Sequence, residues 1–176
     1  MVMSLAAFTA LHVALSLIGI ASGFVVLFGM IFGNKQSGVT ALFLVTTILT
    51  SVTGFMFPYK GFTPGIGVGI LSIIVLIVAL IARYPCRLKG RWRGIWVVTS
   101  ALALYLNFFV LIVQSFEKIP ALHNLAPTQT EGPFKIAQLI ALVLFATLTS
   151  VAFYRFRLER KAPLTTSKAP GSTTIT

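Results

Sequence analysis

Two imidazoles and two carboxylates are the side chains of this 176-residue chain best suited to hold a ligand: His12, His123, Glu117 and Glu131. Paired imidazoles bind haem iron or a divalent metal, and a carboxylate can complete such a set. His123 stands in a polar stretch from Glu117 to Pro133 that also holds both of those glutamates, whereas His12 lies near the start of a long apolar segment. A joint site therefore requires the polar stretch to fold back towards His12, and haem or quinone binding is one reading of the chain. Other chemistry finds little support. The sequence contains no HExxH zinc motif and no GxSxG nucleophile elbow. Asp is absent, and Glu117, Glu131 and Glu159 all lie at or beyond the ends of apolar segments, so a carboxylate relay through a membrane is missing. Cys86 is the single cysteine. Its neighbours Arg87 and Lys89 favour a thiolate, but no second thiol or base accompanies it. The run Gly65-Ile66-Gly67-Val68-Gly69 lacks the spacing and the preceding strand of a nucleotide loop and reads as small-residue packing where a helix begins.

A second group of polar residues recurs at helical spacing inside apolar segments. His12, Ser16, Gly19 and Gly23 share one face; Thr47, Thr50, Ser51 and Gly54 share another, extended backwards by Thr40; Ser100, Asn107 and Gln114 recur every seven residues. Small and hydroxyl residues let helices approach closely and hydrogen-bond across their interface. Ser16, Thr47, Thr50, Ser51, Asn107 and Gln114 are thus expected to form a polar interior. Within it, Asn107 should bond to a hydroxyl of the Thr47 stripe, and His12 should face its neighbours.

The segments that carry these residues are read from composition. Hydrophobic residues make up 57% of the chain and charged residues only 10%, with a mean hydropathy of +0.96, far from the soluble average of about 25% charged. Crossing a hydrocarbon core of roughly 30 Å takes about 20 helical residues. Five segments qualify, at about 8–32, 39–57, 65–82, 95–116 and 134–154, separated by Gly33-Asn34-Lys35 and by prolines at 58, 64, 85, 120, 127 and 133. The expected fold is an all-α membrane bundle over residues 1–160, with a disordered cytoplasmic tail over 161–176 rich in Thr, Ser, Pro and Ala.

Charge placement orients this bundle. Lys35, Arg83, Arg87, Lys89, Arg91, Arg93, Arg155, Arg157, Arg160, Lys161 and Lys168 fall on one side, and only Lys60, Lys118 and Lys135 on the other. Lys and Arg are retained on the cytoplasmic side, which puts the N-terminus outside and the C-terminus inside. The first segment lacks the basic start of a cleavable signal and is expected to stay as a helix. Trp92, Trp96, Tyr84 and Tyr154 are expected at the inner boundary. The net charge of +11 sits in short links and a tail beside apolar segments, so the expected partners are the lipid bilayer and anionic lipid headgroups, with a membrane protein partner also compatible, and not nucleic acid.

Three stretches, Leu42 to Pro58 (LFLVTTILTSVTGFMFP), Tyr105 to Gln114 (YLNFFVLIVQ) and Lys118 to Phe134 (KIPALHNLAPTQTEGPF), resemble those of a family of small, uncharacterised bacterial integral membrane proteins. The likeness spans nearly all of the apolar part of the chain. It implies a bacterial inner membrane and no particular activity. Members often carry a histidine just after the proline that opens the third helix, where this chain has Gly65 and Ile66, which weakens the metal and haem readings. The function expected from the whole sequence is that of a non-enzymatic membrane subunit or binding module. A redox protein holding haem or quinone near His12 and His123 is the alternative, and a minimal transporter or channel for an uncharged solute is a third.

Overall fold

A computed structural model describes residues 4–34, 36–58, 61 and 64–158; the tail lies outside the described residues. Six helices follow in order: α1 (Leu5–Phe32), α2 (Ser37–Phe55), α3 (Pro64–Arg83), α4 (Trp92–Lys118), α5 (Pro120–Leu125) and α6 (Gly132–Leu158), with no strand among the described residues. All except α5 are long and apolar enough to cross a membrane.

The helix ends differ from the hydropathy boundaries where capping chemistry intervenes. α1 starts a turn early because the Ser4 hydroxyl accepts a bond from the Ala7 amide at 3.2 Å, satisfying one of the free donors of the first turn. It ends at Gly33, whose φ of 76° is open to glycine and whose amide bonds back to Gly29. α2 closes at Phe55, two residues early, through a tight turn from the Met56 amide to Thr53. α4 and α6 run past their apolar cores at both ends. The polar stretch from Glu117 to Pro133 contains the short helix α5, because Pro120 enters with its φ already helical and needs no amide partner at that position.

α4 is the centre of the bundle. α1, α2, α3 and α6 all pack on it, α1 also meets α2 and α6, and α3 also meets α2. Its buried face carries Trp96, Val97, Ala101, Ala103, Leu104 and Leu106 together with Ser100 and Asn107. Trp96 is 1% exposed and lies in the core beneath the Arg83 guanidinium, 5.0 Å from its ring centroid. Tyr84 and Tyr154 are exposed. An aromatic cluster joins three helices: Phe145 of α6 meets Phe24 of α1 and Phe108 and Tyr105 of α4 at centroid distances of 5.5, 5.5 and 5.6 Å.

The outward faces are apolar as well. Leu11, Val25, Val45, Ile74, Val98, Leu139 and Val143 are exposed, and similar residues recur along all five long helices. A water-facing surface rarely carries contiguous apolar area on this scale, whereas hydrocarbon accommodates it without cost.

Candidate functional site

The polar side chains of the long helices converge where α1 passes between α2 and α4. Two glycines set how close it comes. A Cβ on Gly19 would lie 3.2 Å from each of Asn107 Nδ2, Thr46 Oγ1 and Thr47 Oγ1, and a Cβ on Gly23 would come within 2.5 Å of Leu104 and 2.8 Å of the Phe43 ring. Backbone and side chains of three helices therefore meet here without an intervening α1 side chain.

One turn along, the Ser16 hydroxyl donates to Asn107 Oδ1 at 2.8 Å, and Asn107 Nδ2 donates to the Ser16 carbonyl at 3.4 Å. Asn107 thus bonds to α1, not to the α2 hydroxyls expected from the residue spacing. The reason is local: α2 hydroxyls are satisfied within their own helix. Thr40, Thr46, Thr50, Ser51 and Thr53 each donate to the carbonyl four residues back, at 2.7 to 3.0 Å. Thr47 is the exception. Its Oγ1 is buried without a partner, and the residue is 2% exposed.

His12 occupies the end of the same seam. Its Nδ1 lies 2.8 Å from Thr53 Oγ1, and its ring meets Phe57 edge-on at 5.2 Å. The Thr53 hydroxyl also lies 2.7 Å from the Leu49 carbonyl; with its hydrogen on that carbonyl, His12 Nδ1 is the donor and Nε2 keeps the lone pair. That nitrogen is the one able to accept a bond or hold a metal.

Of the other proposed ligands, the two glutamates are engaged elsewhere. His123 is exposed on α5, which packs on α4. Glu117 pairs with Lys118 at 3.5 Å. Glu131 accepts from the Thr128 hydroxyl at 2.8 Å and from the Thr128 and Thr130 amides at 3.1 and 3.0 Å, closing a turn before α6. Slight burial works to raise its carboxyl, but these bonds outweigh it and hold the group below its ordinary value. No group of three or more His, Cys, Asp or Glu side chains converges among the described residues.

Of the expected polar interior, Thr47, Thr50 and Asn107 are buried, Ser16 and Ser51 half-buried, and Gln114 exposed. Gln114 lies near the end of α4, beyond the buried stretch that closes at Asn107 on this face. Cys86 is half-buried in the link between α3 and α4. Sequence reasoning passed over Thr46 and Thr53. An antiparallel α1–α2 hairpin with a short link brings His12 alongside the end of α2, and that geometry was the available signal for Thr53.

Comparison with protein-family models, curated proteins and solved structures produced no match. Fold and site together define an all-helical protein with five helices long and apolar enough to cross a membrane.

Proposed function

We propose that this chain is a multi-pass protein of a bacterial inner membrane and acts there as a non-enzymatic membrane subunit or binding module. One observation carries the reading: the polar groups inside the helices are spent on one another or on their own backbone. His12 binds Thr53, Ser16 binds Asn107, and the α2 hydroxyls bind their own backbone. In hydrocarbon such groups are costly unless paired, and here nearly all are paired. The basic link between α3 and α4 lies on the cytoplasmic side in this reading and meets anionic lipid headgroups, while the N-terminus and α5 face outward.

Two experiments test it. Detergent-purified protein is expected to show no Soret band, and a band that survives purification would replace the subunit reading with a redox one. Impermeant thiol reagents should spare Cys86 in intact spheroplasts, reach it after permeabilisation, and label a Thr128→Cys variant from outside. The reverse pattern overturns the orientation, and recovery of the chain outside the membrane fraction overturns the reading itself.

A further inference from the structure

We propose that a groove between the start of α4 and the end of α6 is a binding site for an anionic phospholipid, with an acyl chain along the groove and the phosphate at Arg91. The inference rests on the reading of the chain as a membrane protein and adds a defined site to it. The groove encloses about 370 Å³ and is lined by Ile95, Val98, Thr99 and Phe153, with Arg91 at its mouth. Gly94 makes it possible: a Cβ there would stand 2.7 Å from the Phe153 ring, so any side chain at this position would displace the ring that forms one wall. Thr99 gives its hydroxyl hydrogen to the Ile95 carbonyl at 2.7 Å, so the wall demands no polar group from its occupant.

Length and charge select the occupant. From Arg91 to Thr99 the wall rises about 12 Å along the helix axis, close to one leaflet of a hydrocarbon core roughly 30 Å thick. Arg91 is exposed at the end of the bundle where Arg87, Lys89 and Arg155 are also exposed, and a long basic side chain there can reach a headgroup while its stem lies on the apolar wall. α4 begins at this point with no acidic residue in its first turn and no side-chain cap, so the partial positive charge of the helix end adds to that of Arg91. The described carboxylates, Glu117 and Glu131, are both at the opposite end of α4 and offer no competition. A second groove, along α1 between Leu5 and Leu17, is lined by apolar residues and Thr9 and lacks a cation, so it has no charge to prefer one headgroup.

Native mass spectrometry of the full chain, released from mild detergent after titration with phosphatidylglycerol or phosphatidylethanolamine of matched acyl chains, tests the site. The wild type should retain one phosphatidylglycerol at least about five-fold more than phosphatidylethanolamine. Arg91→Gln should bring the two lipids to equal retention. Val98→Trp, at a position already exposed and therefore tolerant of bulk, should lose the tight adduct of both. Equal retention of the two lipids by the wild type, or a phosphatidylglycerol preference that survives both substitutions, overturns the proposal and assigns the binding to diffuse adsorption on the basic end. Failure of the parent reading is separate, since it shows as a chain outside the membrane fraction before any lipid is added.

Discussion

The hydroxyl of Thr47 and the amide of Asn107 both come close to Gly19, and they predict opposite responses to substitution. Asn107 is bonded in both directions to Ser16, so Asn107→Leu removes a cross-helix pair. Membrane pairs of this kind average about 0.6 kcal/mol and reach about 1.7, so the melting temperature in detergent should fall modestly while the fold persists. Thr47 Oγ1 has no partner to lose. Thr47→Val keeps the shape and deletes an unsatisfied polar atom whose burial costs about 1–3 kcal/mol, so its melting temperature should hold or rise. A marked fall would mean the hydroxyl is bonded. Glu131 supplies the pH dependence. Its folded value lies below the ordinary 4.5, so it supports the Thr128 to Glu131 turn above that value and loses this as pH falls through the folded one. Hydrogen exchange at the Thr128 and Thr130 amides, corrected for the intrinsic pH dependence, should speed up in acid below 4.5, and Glu131→Gln should abolish the change.

At the scale of the helix, two glycines separate close packing from backbone propensity. Gly23 faces Leu104 and Phe43 so closely that Gly23→Ala must displace those two side chains or the helices that carry them. Overpacking of this kind typically costs about 1–3 kcal/mol. Gly38, in the first turn of α2, has nothing within 4 Å of the point where a Cβ would stand, so Gly38→Ala should instead stabilise α2 by up to about 1 kcal/mol. Unfolding in a graded detergent series checks both, and similar effects at the two positions would contradict the packing described for α1.

For the whole molecule, α6 is the long helix held by the fewest buried residues, and Phe145 is its main anchor in the aromatic cluster. In lipid, apolar transfer contributes little to helix association, so ring contacts matter more than area; each contributes about 0.5–1.5 kcal/mol beyond its burial. Phe145→Ala should therefore loosen α6 selectively. Hydrogen exchange should rise along α6 while the α1–α2 pair remains protected, and uniform loosening of all helices would show that the bundle does not open in this order.

Five apolar helices, their approximate ends and the small-residue face of α1 were legible in the residues themselves, because hydrocarbon permits only hydrogen-bonded helices of a set length and because glycine and serine at helical spacing mark close approach. Ser16, Gly19 and Gly23 read correctly as one packed face for that reason. Which helix each polar group would meet was not legible. Local periodicity places a residue on a face but says nothing about the neighbour opposite it, and an α2 hydroxyl can satisfy itself on its own backbone as readily as across an interface. Only the tertiary arrangement, with α4 at the centre and α1 wedged against it, decided that Asn107 pairs with Ser16, that His12 pairs with Thr53, that Trp96 lies in the core, and that Gln114 faces outward.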